Sequence, residues 1–483
     1  MTVAPQLAAP VDARAGAGPK WAAYGVALLV ALGVGHFLLG LPIQVSDSFG
    51  NMQRLSSSWA DLLRDQFSQR AFLRPFLWAE LKVVHDLSGG NYTPWFRGTH
   101  AVQVLALALM FVALLRPRTW RDAACVPLAF MVLLGIHTFF GTVREAFPVN
   151  TFMTLLLLCF ATALVAFARY RWWNDVLVAA LFVVAALTVE TGLLVWVICV
   201  GAALLGARGV SRPGLVVLTV LLGAYFYARF AVLDVGAPDL MERASGFGFR
   251  ILEPPELVDR FGSNPLPFYL YNVVSSMLSV LLSEPSSGVY GSTAAAMRGE
   301  VAPMMIVRGV ASVGAVGLLG AFAWTRRRDW LSRQFDHGDR LVLLFGMVLV
   351  ANAVMSYPYQ KDTNMSPAGA FLAPAVFAAV RHFYARMPAR MPAVSSAALV
   401  IAFAVVSAAW SLRVLDMHGQ LRQAAVTERL DWAYIDFDIA DGSVRVPDEA
   451  AMRLKETLRY DALIARPAPP PLGRPFTQLF EED

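Results

Sequence analysis

The chain has 483 residues, of which 57% are hydrophobic and only 16% are charged, and its formal net charge is +5. About a quarter of the residues in a soluble globular domain are charged, so this composition, with a mean hydropathy of +0.54, excludes that class. The apolar runs have the length of membrane-spanning helices and are continuous, whereas the strands of a β-barrel alternate. The sequence predicts an all-α polytopic membrane protein, and no basic, aromatic-interleaved stretch indicates nucleic-acid binding.

Residues 1–20 are rich in Ala, Pro and Gly and are predicted to be a disordered cytoplasmic segment. The run at 21–41 is too long for a signal-peptide core and has no convincing cleavage site, so we interpret it as an uncleaved signal anchor. It begins a transmembrane domain predicted for 21–414. Eleven spans are predicted, at 21–41, 99–115, 123–140, 149–168, 175–189, 192–206, 214–233, 302–325, 340–356, 367–385 and 393–412.

A polar loop at 44–97 separates the first two spans, and loops of this length in a compact protein are usually functional. Two amphipathic helices are predicted in it, at 49–67 and 72–87, because Trp59, Leu62 and Phe67 recur at helical spacing. Amphipathic helices of this kind lie in the headgroup plane of a membrane. The loop is therefore expected to build a structure over the membrane surface.

Arginines follow the second, fourth, sixth, eighth and tenth predicted spans. The positive-inside rule makes these connections cytoplasmic, so the N-terminus is cytoplasmic and the 44–97 loop and the C-terminus are extracytoplasmic. Frequent Ala and Arg suggest a GC-rich bacterial genome, and the bacterial inner membrane is the predicted location. The apolar segment 268–282 is short for a span and would break the charge alternation. An interfacial or re-entrant helix is predicted there, with a twelfth span as the alternative.

Residues 415–483 are predicted to form a small soluble α/β tail on the extracytoplasmic side. Asp441-Gly442 lies between two β-prone stretches and predicts a hairpin, and Asp448 is a candidate N-cap for a helix through Leu463. All three cysteines lie inside apolar runs and are expected to behave as buried hydrophobes.

Several ionisable residues lie at the extracytoplasmic ends of the predicted spans. Asp47 directly follows the first span, where a long loop is available to cover its carboxylate. Glu190 lies in an otherwise apolar stretch, and ionisable groups at membrane depth usually face a cavity or a partner. Ordinary alternatives are a tight turn around Glu190, a snorkelling Arg74 and a polar turn at 361–362. The candidate site residues are Asp47, Arg74, Arg144, Glu145, Glu190, Lys361 and Asp362.

Short motifs in these loops resemble the C superfamily of membrane glycosyltransferases (GT-C), which includes protein O-mannosyltransferases and bacterial aminoarabinose transferases. The resemblance covers the layout of residues 20–385, with departures: Asp47 stands between two serines where many members have two adjacent acidic residues, and Val189 stands where a Lys often precedes the acidic residue. The matching motifs are the acidic residue after the first span, Arg74-Pro75-Phe76-Leu77, Gly90-Asn91-Tyr92, Gly141-Thr142-Val143-Arg144-Glu145, Leu187-Thr188-Val189-Glu190-Thr191, Asn264-Pro265-Leu266 and Glu284-Pro285.

The resemblance implies an inverting transferase that moves a hexosyl or pentosyl group from a polyprenyl-phosphate donor to an extracytoplasmic glycan, lipid or protein. Asp47 would be the general base, and Arg74, Arg144 and Lys361 would stabilise the phosphate leaving group. Glu190 would hold one of these arginines or contact the acceptor. No cofactor is implied beyond the lipid-linked sugar. The sequence shows no cluster with metal-ligand spacing, and the need for a divalent metal is left open.

Three other functions remain as alternatives. A transporter or flippase would carry inverted repeats and mid-membrane sites, and no repeat is found. An O-antigen-type polymerase or ligase normally has its large loop late in the chain. An inactive relative would serve as a membrane scaffold. His100 and His137, near span ends, are interpreted as polar boundary residues. The sequence specifies neither the sugar, the acceptor nor the oligomeric state.

Overall fold

The computed structural model describes residues 17–68, 73–144, 150–233, 246, 252–284, 288–358, 360–386 and 393–466. These residues form helices joined by short connections, and none of them belongs to a β-strand element. The α-helices are α1 (Ala17–Gly40), α2 (Ser46–Leu55), α3 (Trp59–Ser68), α4 (Pro75–Ser88), α5 (Tyr92–Leu115), α6 (Trp120–Gly135), α7 (His137–Arg144), α8 (Asn150–Ala166), α9 (Trp172–Ala186), α10 (Leu194–Leu204), α11 (Arg212–Phe226), α12 (Pro254–Phe261), α13 (Leu266–Leu282), α14 (Gly288–Arg298), α15 (Pro303–Leu331), α16 (His337–Met355), α17 (Ser366–Arg386), α18 (Ala393–Ala440) and α19 (Glu449–Tyr460).

The helices support the prediction of a polytopic membrane protein. Among the described residues, seven helices are long and apolar enough to cross a bilayer, or up to nine if each of two bent pairs counts as one span. One bent pair is α6 with α7, which turns by 74°, and the other is α12 with α13, at 100°. Three further apolar helices have only 10–17 residues. They are α8, α9, and α10 together with the 3-10 turn before it. Each predicted span coincides with one of these helical segments.

Helix α17 lies at the centre of the bundle. Every residue from Ser366 to Val380 is buried, as expected for a helix that neighbouring helices cover on all sides. Its small side chains allow close packing. A Cβ added at Gly369, for example, would lie 2.0 Å from Thr138 Oγ1. The surrounding apolar core draws on α1, α5, α6, α8, α10 and α16.

Hydrogen bonds to helix ends define the two ends of the bundle. At the first, Arg116 donates to the Phe167 carbonyl at 2.7 Å and Arg340 to the Leu205 carbonyl at 3.1 Å, which joins the ends of α5, α8 and α10 to the start of α16. We call this the arginine end. The opposite end carries the first loop and the turn before α10, and we call it the loop end. The Phe76 amide donates to the Leu187 carbonyl there, at 3.1 Å.

The first loop and the C-terminal helices share a separate apolar core at the loop end. Phe49 of α2 and Trp78 of α4 belong to it, together with Trp432 of α18 and Leu458 of α19. The Trp432 indole donates to the Ile43 carbonyl at 2.7 Å. This core is built from segments almost four hundred residues apart, so the first loop and the tail lie on the same side of the bundle.

Two predictions for these segments are corrected. The predicted hairpin at Asp441-Gly442 is wrong, because α18 continues to Ala440 and Gly442, at φ +83°, lies in the turn just after it. The described part of the tail is helical, and α18 runs without a break across position 415. The predicted helix 49–67 is divided into α2 and α3. The N-cap prediction is confirmed: the Asp448 carboxylate accepts the Ala451 amide at 2.8 Å.

Both halves of α13 contact the loop end. Asn272, in its second turn, donates to the Tyr357 carbonyl at 2.7 Å. Near its other end, Ser279 Oγ lies 3.0 Å from His137 Nε2, at the start of α7. The next residues are held by Arg413 of α18, which donates to the Ser283 carbonyl at 3.0 Å.

Candidate functional site

Arg74 is positioned by the start of α4. It occupies the N-cap, and Pro75 follows at the first helical position, where its fixed φ and missing amide hydrogen cost nothing. The Phe76 amide bonds to the Leu187 carbonyl at 3.1 Å, so this end of α4 is fastened to the end of α9. The first loop therefore delivers the Arg74 side chain to the α9–α10 connection.

Glu190 begins a 3-10 turn, Glu190–Leu193, between α9 and α10. The connection is tight, because the Val189 amide bonds back to the Ala185 carbonyl at 3.1 Å. Gly192 makes this possible: a Cβ there would lie 2.0 Å from the Ala185 carbonyl oxygen. The predicted tight turn is thus present, and it presents the Glu190 carboxylate to α4.

The structure brings Arg74 and Glu190 together with a third group, Arg229. Arg74 donates to Glu190 Oε2 from Nη2 at 2.6 Å and from Nε at 3.2 Å. Arg229 Nη1 lies 3.3 Å from Glu190 Oε1 and donates to the Tyr225 hydroxyl at 2.7 Å. One carboxylate therefore stands between two guanidiniums. We call Arg74, Glu190, Arg229 and Tyr225 the loop-end cluster.

The loop-end cluster is partly open. Among the described residues, its two guanidiniums share the Glu190 carboxylate. The side chains of Arg74 and Glu190 are 27% and 28% exposed. Arg229 is more deeply placed, at 10%. Guanidinium groups bind carboxylates and phosphates through paired hydrogen bonds. A partly exposed group of this kind is suited to an anionic ligand that approaches from the loop end.

Arg229 was not among the residues predicted from the sequence, although a signal for it was present. Arg229 follows α11 in a π-helical turn, Tyr227–Val232, inside the predicted span 214–233. An arginine within an apolar run is costly and marks a partner or a cavity, which is the argument that selected Glu190. A π-turn at the end of a helix also occurs often at functional sites.

The backbone around Asp47 is firmly held. Asp47 lies in the first turn of α2, and its side chain lies outside what the structure describes. The preceding residues are fastened by Arg97, which is fully buried and donates to the carbonyls of Leu41 and Pro42 at 3.0 and 2.5 Å. Gln44 donates to Glu428 of α18 at 3.1 Å. The helix that carries Asp47 is therefore anchored to both the bundle and the tail.

Two more of the predicted site residues, Lys361 and Asp362, lie near His137 in a second polar region. Asp362 Oδ1 lies 3.5 Å from His137 Nε2. Lys361 is exposed and directly precedes the 3-10 turn Asp362–Met365. Helix α7 packs closely on this turn, since a Cβ at Gly141 would lie 2.0 Å from Thr363 Cγ2.

Two of the predicted site residues, Arg144 and Glu145, lie at the end of α7 and directly after it. Arg144 is its last residue, and the Arg144 side chain lies outside what the structure describes. Glu145 lies outside the described residues altogether. The roles predicted for both therefore stay predictions. His137, interpreted from the sequence as a polar boundary residue, has polar neighbours on α13 and in the 3-10 turn.

A buried arginine on α18 organises the same region. Arg413 donates to the Gly135 carbonyl at 2.8 Å, where α6 breaks from α7, and to the Ser283 carbonyl at the end of α13. A cation at a helix C-terminus satisfies carbonyls that have no partner in the helix. Nearby, Arg308 and Asp416 form an ion pair at 3.2 Å. We interpret Arg413 as structural, because its contacts fix helix ends.

Metal binding has no ready-made ligand set in the described part of the chain, where no group of three or more His, Cys, Asp or Glu side chains is arranged to hold an ion. Comparison with known proteins gives no match: no family model, no characterised protein and no solved structure is similar to this chain. Fold and site together define a multi-pass α-helical membrane protein with an ionic cluster at one end of its bundle.

Proposed function

We propose that the chain is an integral-membrane glycosyltransferase that moves a sugar from a polyprenyl-phosphate donor to an acceptor at the loop end. The observation that carries this proposal is the loop-end cluster, in which Arg74 and Arg229 share Glu190. A phosphate leaving group needs such donors already in place. The resemblance to GT-C enzymes in the order of their loops and motifs supports the same activity.

The proposed reaction is a direct displacement at the anomeric carbon. The Asp47 carboxylate takes the proton of the acceptor hydroxyl, and the hydroxyl oxygen attacks that carbon. The bond from the carbon to the phosphate oxygen breaks with its electron pair, which leaves polyprenyl phosphate. The configuration inverts. The leaving phosphate is already stable as an anion, so no general acid is required.

The loop-end cluster would receive the charge that develops on this phosphate. Arg74 and Arg229 are the proposed phosphate ligands, and Glu190 keeps the two guanidiniums close together until the donor binds. Arg144 and Lys361 are proposed as further cations, with Glu145 and Asp362 as acceptor-side contacts. Helices α2, α3 and α4 would border the entry for the lipid chain.

The proposed placement in the membrane has eleven crossings, with α13 at the interface. The contacts of α13 with Tyr357, His137 and Arg413, all at the loop end, support this. By the positive-inside rule the arginine end is cytoplasmic. The loop end and the tail are then extracytoplasmic, in a bacterial inner membrane.

One observation favours a transporter or flippase as a second candidate. The helix pair α6 and α7 bends by 74° at Ile136, and broken helices are frequent at transporter substrate sites. The ionic side chains, however, lie on the loop-end connections. A transporter with this geometry would move a polyprenyl-phosphate sugar without transferring it.

Incubation of the purified protein with radiolabelled polyprenyl-phosphate sugars and membrane extract tests the proposal. We expect label to move to an acceptor, Asp47→Asn to abolish the transfer, and Arg229→Gln to slow it by about 100-fold, as removal of an oxyanion donor does in other enzymes. Arg208→Gln, an exposed arginine at the arginine end, is the matched control and should retain full activity.

One result would count against a transferase, and another against the role of Asp47. If label never leaves the polyprenyl lipid, but crosses vesicle membranes in a protein-dependent way, the transporter alternative is favoured. If Asp47→Asn transfers label at the wild-type rate, Asp47 is not the base.

A further inference from the structure

A charged cavity lies at the arginine end, at the opposite end of the bundle from the loop-end cluster. Its volume is about 540 Å³, and it is formed where the end of α5 meets the starts of α6 and α16, with the ends of α15 and α17 completing the wall. Phe322 and Phe377 provide an apolar part of the lining. We call this space the arginine-end pocket.

Positive charge dominates the arginine-end pocket. Four arginines line it, and the carboxylate in the lining is that of Asp336. The lining arginines are Arg116, Arg118, Arg381 and Arg386.

The four arginines divide into two kinds. Arg116 donates to the Phe167 carbonyl at 2.7 Å, and Arg381 pairs with Asp122 at 3.2 Å. Both guanidiniums are therefore already bound to groups of the protein. Arg118 and Arg386 are exposed and stand on different walls, one before α6 and one at the end of α17. The Arg386 guanidinium lies against the imidazole of His382. Among the described residues, neither guanidinium is held by a carboxylate or a carbonyl, so both can turn toward a ligand.

Exposed aromatic side chains at the arginine end indicate where the pocket would lie along the membrane normal. Trp120, at the start of α6, is 66% exposed, Trp324 on α15 is 68%, and Trp172 at the start of α9 is 70%. Tyr384, on the same turn of α17 as the pocket residues, is 41% exposed. Tryptophan and tyrosine collect at the level of lipid headgroups. In a bilayer, this distribution of aromatic side chains would put the arginine-end pocket at headgroup level.

We propose that the arginine-end pocket binds the phosphate group of an anionic lipid from the leaflet on its side of the membrane. Basic pockets between transmembrane helices recognise such headgroups, and the guanidinium fork suits phosphate oxygens. Phe322 and Phe377, which are largely buried, form an apolar part of the pocket wall. Neither the lipid proposed as ligand nor the position of the arginine-end pocket depends on the proposed sugar transfer.

Native mass spectrometry and thermal unfolding of the detergent-purified full chain test this site. The probes are short-chain phosphatidylglycerol, short-chain phosphatidylcholine and inorganic phosphate at equal concentration. We expect phosphatidylglycerol to bind and to raise the unfolding temperature, and phosphatidylcholine to do neither. The double variant Arg118→Gln with Arg386→Gln should bind phosphatidylglycerol at least fivefold more weakly.

The matched control is Arg208→Gln with Arg212→Gln, which removes the same charge from two exposed positions, one before α11 and one at its start. This control should bind like the wild type. Equal weakening in both double variants would overturn the proposal, because it would indicate a general charge effect. Inorganic phosphate that binds as tightly as phosphatidylglycerol would also overturn it, since the lipid would then contribute nothing.

Discussion

Glu190 is the residue on which the loop-end cluster depends. Its carboxylate separates Arg74 and Arg229, with atoms of both guanidiniums within 3.3 Å of its oxygens. Removal of one partner from a partly buried ionic group leaves the remaining charges uncompensated. Here the remaining charges have the same sign, so their repulsion adds to the loss.

We expect Glu190→Gln to destabilise the fold by about 1–3 kcal/mol, between the values typical of exposed and buried pairs. The measurement is thermal unfolding in detergent, at low and at high salt. Salt screens the repulsion of two partly exposed cations, so the stability difference between Glu190→Gln and the wild type should be smaller at 1 M salt.

The control for this change is Glu300→Gln, since Glu300 is 62% exposed and pairs with Arg298. It should alter stability very little. A Glu190→Gln variant as stable as this control would mean that the carboxylate does not hold the two arginines.

Glu80 is a second carboxylate whose surroundings set a measurable property. It lies on α4 and accepts from Gln103 Nε2 at 2.9 Å, with Thr154 Oγ1 2.9 Å from each of its oxygens. Burial raises the pKa of Glu80 above its ordinary value of 4.5, against the lowering effect of the hydrogen bonds from Thr154 and Gln103.

This raised pKa predicts how stability depends on pH. The protonated carboxyl favours the folded state, so its contribution is complete below pH 4.5 and is lost as the pH rises through the folded-state pKa. We therefore expect Glu80→Gln to be more stable than the wild type at pH 8, with the difference narrowing toward pH 5. Unfolding temperatures of both proteins across this range provide the measurement, and a constant difference would contradict the prediction.

The α9–α10 connection shows how one element determines the site. Its turn closes against the end of α9, and there is no room at position 192 for a side chain, because a Cβ would lie 2.0 Å from a backbone oxygen. Backbone atoms at this distance cannot rotate aside as a side chain does. Any side chain at position 192 must therefore displace the turn that carries Glu190.

We expect Gly192→Ala to destabilise the protein by about 1–3 kcal/mol and to lower transferase activity together with stability. Gly346→Ala is the matched control, since a Cβ at Gly346 in α16 meets nothing within 4 Å. The control should be neutral or slightly stabilising, because alanine favours a helix over glycine. Equal unfolding temperatures for both variants would show that the turn adapts to the methyl group.

At the scale of the whole molecule, α18 connects the bundle to the first loop. It extends over 48 residues, and its last turns pack against α2 and α4 in the loop-end core. The tail and the first loop must then be on the same side of the membrane. This follows from packing alone and is independent of the distribution of arginines.

Single cysteines at exposed positions test this arrangement. Ala60→Cys in α3 and Ser443→Cys after α18 should both react with a membrane-impermeant maleimide in intact cells, because we propose that the loop end is extracytoplasmic. Gln334→Cys, at the arginine end, should react only after the membrane is opened. The wild type is the control, since Cys125, Cys159 and Cys199 are buried. Opposite labelling of Ala60→Cys and Ser443→Cys would contradict the packing of the tail on the first loop.

Hydropathy predicted the helices well because a bilayer acts on each segment separately. Each apolar run needs internally bonded backbone to enter lipid, so the segment itself carries the information. The structure of the C-terminal tail was harder to predict from the sequence. Asp441-Gly442 has the sequence of a hairpin turn, but Trp432 and Ile435 find partners on the first loop, and this packing extends α18 through the residues that were expected to form a strand.

The sequence by itself determined the class of the protein, the positions of its apolar helices, and two members of the loop-end cluster, Arg74 and Glu190. Tertiary structure decided that these two are partners, although they lie 116 positions apart, that Arg229 joins them, and that the tail covers the first loop. The physical reason is the range of the interactions. Hydrophobicity and capping act within a few residues, whereas an ion pair depends on the distance between side chains that only the packed bundle brings together.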